Sequence, residues 1–393
     1  MSAPHIMIVA GETSGDLLGA DLIAAMRATH PDAAFSGVGG PAMIRAGLDT
    51  LFDMSEIAVM GLGPILANLR RLFALVDLTA EHACQTRPDA VVLIDSPEFN
   101  HRVAARIKKC HPDIPVICYV APSVWAWRRG RARKMAKHFD AVLSLFPFES
   151  HIFKALSGPP CHFVGHPIVG RFEAHVAHQG FRAKHNIPVN GSLLCVLPGS
   201  RLSEIRKLLP IFEQTVKRLD KQIEGLSLII PVVAHTRETV RARVADWPVA
   251  AILVEDEADK IDAFMTADAA LAASGTATLE LGMAGLPSVV AYKMGGIMGA
   301  LLMRVLRVPS AVIVNLVLDA PIIQEFLEDR CTGDLITPAV YTLLADAAVN
   351  NEKRAQLAPL ADILGKVGKT PGASAAEIIQ SLMQKSGRAR PTP

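Results

Sequence analysis

The chain has 393 residues and half of them are hydrophobic, so it is long enough to bury more than one core and is predicted to form two domains. Its 40 Lys and Arg stand against 38 Asp and Glu, and the formal charge of +2 provides no overall positive field. A nucleic-acid binder that depends on such a field is excluded. The six cysteines include no C-x-x-C pair, which predicts buried thiols in a reducing compartment and neither a disulfide framework nor a zinc site.

Two features of the chain concern membranes. The first ten residues lack the basic start, apolar middle and small-residue cleavage site of a signal peptide, so we expect a cytoplasmic protein. Charged residues interrupt every apolar run before it reaches the roughly 18 residues that span hydrocarbon, so no transmembrane helix is predicted. The mean hydropathy of +0.31 is nevertheless high, and this excess of apolar residues needs an explanation.

Short apolar runs alternate with Gly- or Pro-containing loops and with longer segments of helical spacing. This rhythm is typical of βαβ units with a parallel sheet, and it occurs in two series. The predicted strands are 5–10, 90–94, 116–120 and 141–145 in the first series, and 192–197, 226–231, 250–254, 269–273 and 288–292 in the second. We therefore expect an α/β protein with two doubly wound domains.

A polar, His-rich stretch at 173–190 separates the two series and has the composition of a linker. Helical spacing continues near the end of the chain, and the last residues are polar and rich in Pro and Arg. The predicted divisions are an N-terminal domain (1–170), a C-terminal domain (171–345), a helical segment (346–385) and a disordered tail (386–393).

The loop at 11–16 follows the first predicted strand, and ligands of open parallel sheets bind beyond the carboxyl ends of the strands. Its glycines let the backbone approach a ligand, so Ser14, Gly15 and Asp16 are candidate contacts. A tight turn capped by Ser14 or Asp16 is the alternative. The loop is not G-x-G-x-x-G and no acid stands in 35–41 to bind a ribose, so NAD is disfavoured and no cofactor is expected.

The loop at 94–100 places Asp95 at the mouth of a predicted parallel strand. A base that takes a proton from a sugar hydroxyl must be ionised and within hydrogen-bond reach, which a partly exposed aspartate there satisfies. Glu98 is the competing carboxylate. Capping of the next helix by Asp95 or Ser96 is the structural alternative.

The loop at 197–205 leads from a strand through Gly199 and Ser200 into a helix, beside whose N-terminal amides Arg201 emerges. Arginine and helix amides together favour a diphosphate. The alternative is a capped helix with a surface arginine. Neither a Walker loop nor a D-x-D triplet is present, so no divalent metal is expected on the phosphates.

A second turn of small residues, at 273–280, also leads into a helix. Amides near Gly275 to Ala277 are predicted to face phosphate, and Glu280 to accept hydrogen bonds from ribose hydroxyls. Glu280 also suits the positive end of the helix dipole without any ligand. The prediction of a single sugar-nucleotide site therefore rests on the presence of Glu280 and the Arg201 loop in the same predicted domain.

Two further segments predict contact with a lipid or a sugar phosphate. Residues 121–127 carry two tryptophans and run into a basic stretch, a combination typical of membrane interfaces, although a solvated helix face is the alternative. Residues 60–76 have more apolar positions than one core-facing stripe needs, which predicts an interfacial helix or a buried core helix. His162 and His166 stand four residues apart, but Gly165 and Pro167 disfavour a shared helix face, so a metal site there receives little support.

Taken together, these motifs resemble those of the lipid-A-disaccharide synthase family, in the same order and over nearly the whole chain. The stretches that carry the resemblance are AGETSGD at 10–16, AVMG at 58–61, IDSPEFN at 94–100, PSVWAWR at 122–128, LPGSR at 197–201 and ASGTA at 273–277. The resemblance implies a GT-B fold of two Rossmann-like domains facing a central cleft. It also implies a C-terminally swapped homodimer and acylated substrates approached from the inner membrane surface.

The family's site residues carry over onto matching positions. The resemblance implies that Asp95 is the catalytic base. It implies a UDP-sugar site at Gly199, Ser200, Arg201, Ser274, Gly275, Thr276, Ala277, Thr278, Glu280, Asn315, Gln324 and Glu325. The acceptor or membrane side is implied to comprise Ser14, Gly15, Asp16, Met60, Glu98, Asn100, Ser123, Trp125, Trp127, Arg128 and Arg129. Two departures are Glu98, where the family usually has Asp, and a missing proline in 312–315.

The implied reaction is an inverting glycosyl transfer. Asp95 would deprotonate the 6-hydroxyl of 2,3-diacylglucosamine 1-phosphate (lipid X), which would attack the anomeric carbon of UDP-2,3-diacylglucosamine to form a β-1,6 link. A UDP-sugar epimerase on the same fold is one alternative. A membrane-bound nucleotide-binding protein without catalytic activity is the other.

Overall fold

The structure is a computed structural model and describes residues 3–59, 65–176, 180–294, 309–365 and 368–387, with the side chains at 58–59 and 65–68 left undescribed. The chain divides into two compact units. Unit 1 comprises Met1–Pro167 and Leu364–Pro393, and unit 2 comprises Ile168–Ile363. Met60 lies outside the described residues.

Each unit contains one parallel sheet, and the predicted α/β architecture with two doubly wound sheets is confirmed. The strands of unit 1 are β1 (His5–Ala10), β2 (Ala34–Val38), β3 (Asp49–Thr50), β4 (Ala90–Ile94), β5 (Val116–Tyr119), β6 (Ala141–Ser144) and β7 (Cys161–Phe163). Those of unit 2 are β8 (Leu193–Leu197), β9 (Ser227–Pro231), β10 (Ala251–Val254), β11 (Ala269–Ala273), β12 (Ser288–Tyr292) and β13 (Gln324–Leu327). Their orders are β3-β2-β1-β4-β5-β6-β7 and β10-β9-β8-β11-β12-β13.

Helices connect these strands. Up to the second sheet they are α1 (Thr13–Thr29), α2 (Pro41–Arg45), α3 (Ser55–Val59), α4 (Ile65–Thr86), α5 (Pro97–Cys110), α6 (Gly130–Met135), α7 (Phe148–Ala155), α8 (Ile168–Glu173) and α9 (Phe181–Lys184). The later ones are α10 (Leu202–Leu219), α11 (Arg237–Val244), α12 (Glu257–Thr266), α13 (Ala277–Met283), α14 (Ile313–Val317), α15 (Gly333–Ala345), α16 (Ala347–Leu357), α17 (Leu360–Leu364) and α18 (Pro371–Lys385).

The strand order reverses once in each sheet, and this reversal positions the candidate sites. In unit 1 the chain moves outward from β1 in one direction and returns to start again at β4. In unit 2 the same happens at β8 and β11. Loops that leave such neighbouring strands diverge to opposite faces of the sheet, which opens a crevice at its carboxyl edge.

The hydrophobic cores lie on both faces of each sheet, because the central strands are apolar at every position. All five residues of β4 are buried. A helix that covers such a sheet needs one apolar stripe, and α10 supplies it with Ile205, Leu209, Phe212 and Val216. Burial on both faces is what parallel sheets require.

The last helix, α18, belongs to unit 1. It packs against α1 and contributes Ala375, Ile379 and Met383 to the core above the first sheet. Gly372 makes this approach possible, because a Cβ at this position would lie 2.6 Å from the Asp21 backbone. The Gly372 amide donates to the Asp21 carboxylate at 2.7 Å. The helical segment at the end of the chain therefore has a specific docking site on α1.

Helix α4 overlaps the segment predicted to lie at a membrane interface. From residue 69 onward it has an ordinary core-facing stripe that includes Leu75, Val76 and Ala80, while Phe73 and Leu78 are exposed. This part of α4 is therefore a core helix with two exposed apolar side chains. Among the described residues, no helix combines the length and the apolar character needed to cross a bilayer.

The cysteine prediction is wrong for one pair. Cys84 on α4 and Cys110 at the end of α5 are joined by a disulfide. The two helices pack side by side and bring the Cα atoms within 6.4 Å, a relationship that spacing along the sequence does not reveal. Cys118, Cys195 and Cys331 are buried thiols, as expected.

Candidate functional site

The turn after β4 holds Asp95 in a strained backbone conformation. Asp95 and Ser96 have φ values of +52° and +40°, a left-handed region that costs non-glycine residues energy. Asn100, which is 1% exposed, stabilises this turn by donating its amide hydrogens to the carbonyls of Ile94 at 3.1 Å and Asp95 at 2.5 Å. Asn100 therefore positions Asp95, and its side chain is already engaged by the protein backbone.

Burial raises the pKa of the Asp95 carboxyl, while the hydrogen bond from the Ser96 amide at 3.0 Å acts in the opposite direction. Glu12, in the loop after β1, also has a raised pKa, first because of burial and then because of the charge on Asp95. The two carboxyls thus lie within electrostatic reach of each other at the switch point of the first sheet. Sequence analysis did not select Glu12, although its place directly after a strand was the available signal.

Glu98 has a different environment. Its side chain is 61% exposed and forms ion pairs with Arg128 at 3.0 Å, Arg102 at 3.7 Å and Arg131. Burial alone would raise the pKa of Glu98, but these arginines outweigh burial and the pKa is lowered. A carboxylate that three guanidinium groups stabilise is a weak proton acceptor. This contrast favours Asp95 over Glu98 as the base.

Asp16 is a structural cap rather than an exposed contact. It is 3% exposed, and its carboxylate accepts from the amides of Gly40 at 2.9 Å, Ala42 at 2.8 Å and Met43 at 2.9 Å. These are the free amides at the start of α2, which a carboxylate satisfies well. Ser14 is exposed, whereas Gly15 is buried against β1 and β4.

The aromatic and basic loop after β5 contains both buried and exposed residues. Val124 is 1% exposed and anchors the loop in the core. Ser123 and Arg129 are exposed. Trp127 is 46% exposed, and the Arg128 guanidinium lies 4.3 Å from the centroid of its ring. An exposed indole beside arginine presents both apolar and cationic surface.

In unit 2, the two turns predicted to bind one diphosphate leave neighbouring strands. β8 pairs with β11 in parallel, with Leu197 opposite Ala272, so the Arg201 turn and the Ser274 turn start at the same edge of the sheet. Gly199 has a φ of +104°, and a Cβ there would lie 2.5 Å from Glu204. The turn therefore requires glycine.

The Arg201 side chain is 76% exposed and is held at the start of α10 by Glu204, at 2.8 Å. The loop after β9 adds a contact that sequence analysis missed: His235 Nε2 lies 3.0 Å from the Ser200 carbonyl oxygen and donates to it. Nothing in the sequence around His235 indicated this contact. Both neighbours fix the turn that carries Arg201.

Ser274 connects the second turn to the loop before α14. Its hydroxyl donates to the Ala311 carbonyl at 3.2 Å, and the Ala311 amide donates to Glu325 at 2.8 Å. Asn315, 4% exposed, donates to the Ile323 carbonyl at 2.8 Å and accepts from the Ile323 amide at 2.9 Å. Asn315 and Glu325 therefore form the internal support of this loop. Thr278, likewise buried, donates to the Gly275 carbonyl at 2.7 Å.

Glu280 and Gln324 are predicted nucleotide contacts that lie outside the two turns. Glu280 Oε1 is engaged by Arg171 of α8 and by Lys260 of α12, the latter at 3.2 Å. Gln324 is exposed on the edge strand β13, and side chains alternate across a strand, so it lies on the face opposite Glu325. Gln324, Glu325, Arg330 and Lys353 all contribute to the lining of a cavity of about 430 Å³. The described part of the chain contains no cluster of three or more potential metal ligands.

Sequence comparisons with known proteins identify the family. The model of a family described as lipid-A-disaccharide synthetase matches residues 6–378. A lipid-A-disaccharide synthase of Bradyrhizobium diazoefficiens is 41% identical over 387 residues, which cover 98% of this chain and 97% of the relative. One of Rhodospirillum centenum is 43% identical over 381 residues, with coverages of 97% and 95%. The chain belongs to the lipid-A-disaccharide synthase family. As a member of this family it is a glycosyltransferase of lipid A biosynthesis.

Solved structures support the fold. The structure described as the S. aureus MnaA–UDP complex superposes with a TM-score of 0.65 at 12% identity and covers 99% of both chains. The calicheamicin glycosyltransferase CalG4 superposes with a TM-score of 0.60 at 16% identity, with coverages of 98% and 99%. At such low identity these similarities show the GT-B fold and leave activity to other observations. A UDP-sugar epimerase would share this fold, and membership of the family decides in favour of the glycosyltransferase.

Proposed function

We propose that the chain transfers 2,3-diacylglucosamine from UDP-2,3-diacylglucosamine to the 6-hydroxyl of 2,3-diacylglucosamine 1-phosphate (lipid X). The products are the β-1,6-linked disaccharide 1-phosphate and UDP. The observation that carries this proposal is the pairing of an exposed arginine turn with a small-residue turn on neighbouring strands of the second sheet. Unit 2 accordingly binds the nucleotide sugar, and unit 1 supplies the base.

Arg201 and the amides at the starts of α10 and α13 act on the leaving UDP. Negative charge grows on the diphosphate as the glycosidic bond breaks, so fixed positive groups at that place lower the barrier. Gly199, Ser200 and residues Ser274 to Ala277 form the two turns that receive the phosphates. Glu280 accepts from the ribose hydroxyls through Oε2, because Oε1 is shared by Arg171 and Lys260.

Asp95 takes the proton from the acceptor hydroxyl while that oxygen attacks the anomeric carbon from the face opposite UDP, which inverts the configuration. Its strained turn and its burial support this role, since burial makes the carboxylate more basic than an aspartate in water. Glu98, which arginines stabilise in its ionised form, orders the basic loop on the acceptor side.

The acylated substrates reach the protein at the inner membrane surface, with which it associates peripherally. The exposed Trp127 ring and the arginines at 128 and 129 support this proposal, because indole and guanidinium groups favour the headgroup region of an anionic bilayer.

A swapped homodimer would form by exchange of α18 between two chains. The docking site of α18 on α1 supports this proposal, because every copy of the chain carries the same site.

The proposed function is tested with purified protein and both acylated sugars in detergent micelles. UDP release that requires the acceptor, together with a disaccharide product, supports the transfer. An isomerised UDP-sugar would support the epimerase instead, and UDP binding without turnover would support a binding protein. Asp95→Asn should abolish transfer while Glu98→Gln retains most of it. The reverse result would assign the base to Glu98.

A further inference from the structure

Glu149 is a buried carboxyl for which the proposed reaction has no use. It lies in the first turn of α7, directly after β6, and is 3% exposed. Burial raises its pKa to about 8, although hydrogen bonds from Trp125 and from the backbone at Phe146 and Leu145 act in the opposite direction. Burial of a carboxyl costs folding free energy unless hydrogen bonds compensate for the lost solvation, so the partners of Glu149 are informative.

The two oxygens of Glu149 join two loops that are 20 or more residues apart in sequence. Oε1 accepts from the Trp125 indole nitrogen at 3.1 Å, and Oε2 accepts from the Phe146 amide at 3.3 Å. The Trp125 ring also meets the Phe148 ring edge to face, with the centroids 5.6 Å apart. The indole is therefore restrained by a hydrogen bond at its nitrogen and by an aromatic contact on its ring.

A second carboxylate restrains the same loop further along. Glu98, in the first turn of α5, pairs with Arg128 and Arg131. The segment at 121–131 is thus held by Glu149 near its beginning and by Glu98 near its end. Between these two points the Trp127 ring remains exposed.

This doubly held loop starts next to the catalytic turn. β5 precedes the loop and is the neighbour of β4, which precedes Asp95. The Asp95 amide donates to the Tyr119 carbonyl at 3.0 Å, so the two loops leave the sheet from adjacent positions. An acceptor whose hydroxyl reaches Asp95 would pass beside this aromatic surface.

We propose that Glu149 is a positioning residue for the acceptor: by holding the Trp125 indole, it sets the aromatic surface that receives the acylated sugar beside Asp95. This inference rests on the proposed function. Glu149 itself touches neither substrate. Its effect is transmitted through the orientation of Trp125 and through the path of the loop at 121–131.

The test measures KM for each substrate and kcat for Glu149→Ala, Glu149→Gln, Trp125→Phe and the double variant Glu149→Ala/Trp125→Phe. Loss of one buried hydrogen bond corresponds to about a tenfold change in an equilibrium constant. We expect Glu149→Ala and Trp125→Phe each to raise the acceptor KM by about five- to tenfold, with kcat and the donor KM nearly unchanged. Gln retains one acceptor for the indole, so Glu149→Gln should have a smaller effect. The double variant should resemble the single variants, because both remove the same contact.

A physical measurement accompanies the kinetics. The fluorescence difference between each protein and its Trp125→Phe counterpart reports on Trp125 alone, and Glu149→Ala should shift this signal to longer wavelength. An unchanged acceptor KM in a folded Glu149→Ala protein would overturn the inference. So would additive effects in the double variant, or a parallel loss in all kinetic constants and in thermal stability. A wild-type protein that transfers no sugar would instead overturn the proposed function.

Discussion

The Asn100 amide nitrogen lies 2.5 Å from the Asp95 carbonyl oxygen, so Asn100 restrains the backbone of the proposed base. Asp95 occupies a left-handed conformation that a free chain would rarely adopt. The same amide also binds the Ile94 carbonyl, and the side chain is buried. The Asn100 side chain, five residues further along the chain, therefore maintains the strained conformation of Asp95.

Replacing Asn100 should reduce turnover by more than the loss of folding stability alone would explain. Asn100→Ala leaves two buried carbonyls without their donor, which costs about 1–3 kcal/mol in the free energy of unfolding. It also releases the turn that aims Asp95, so we expect kcat to fall at least tenfold with a smaller change in the donor KM. Steady-state kinetics and denaturant unfolding check this. Asn351→Ala, at an exposed position of α16, is the control, and equal kinetic effects in both variants would contradict the prediction.

Arg201→Ala should lower kcat by about 10²–10³-fold, the usual effect of removing one donor from a developing anion. The side chain is 76% exposed, so the free energy of unfolding should change by no more than about 0.5 kcal/mol. Arg206→Ala, an exposed arginine further along α10, is the matched control and should retain activity. Normal turnover in Arg201→Ala would remove Arg201 from the site.

The pH profile of kcat/KM should identify the base. Only the ionised carboxylate accepts a proton, so the rate should rise with pH through the pKa of the base and then level off. Since the pKa of Asp95 is raised and that of Glu98 is lowered, the acidic limb should lie above the ordinary aspartate range if Asp95 is the base. Glu98→Gln should leave this limb in place. A limb that disappears in Glu98→Gln would transfer the role to Glu98.

Asp16→Ala should mainly destabilise the protein. The carboxylate satisfies three backbone amides at the start of α2, and their loss should cost about 3 kcal/mol in the free energy of unfolding. Asp16→Asn retains one oxygen and should cost less. Ser14→Ala, at an exposed position, should be close to wild type. Urea unfolding of the three variants measures these differences, and equal midpoints for Asp16→Ala and Ser14→Ala would refute the capping role.

Local sequence patterns were sufficient to predict most strands of the two sheets. They were insufficient to predict the contacts that hold the site residues in place. Strands such as β4 and β11 are continuous apolar runs, which a parallel sheet requires. The edge strand β13 was missed because its sequence, QEFL, begins with two polar residues and is only partly buried. β2 and β7 were missed because a glycine interrupts one and the other has three residues.

The predicted binding turns lie on the strands from which they were expected, whereas the partners of their side chains could not be predicted. Asp16 meets amides 24 to 27 residues away, and Glu280 meets Arg171 at a separation of 109 residues. Such contacts depend on how helices pack across a sheet. No periodicity within a single element encodes them, so a residue that stands at a ligand-binding position in sequence can prove to be a cap or a brace.

Glu149 should make the stability of the protein depend on pH in a direction opposite to that of a salt-bridged acid. An exposed glutamate titrates near 4.5 and the pKa of Glu149 is about 8, so between these values the folded state holds a proton that the unfolded state has released. The free energy of unfolding contributed by Glu149 is therefore highest at low pH and falls as the pH rises from about 4.5 to about 8. The thiols of Cys118 and Cys161 face the same carboxyl, and burial raises the pKa of Cys161 to about 11 and that of Cys118 further, so both stay neutral in this window. Thermal unfolding of wild type and Glu149→Gln at pH 5.5 and pH 8 isolates the effect, because Gln cannot ionise. Wild type should lose more stability between these two conditions than Glu149→Gln, and parallel losses in the two proteins would show that Glu149 is already ionised at pH 5.5.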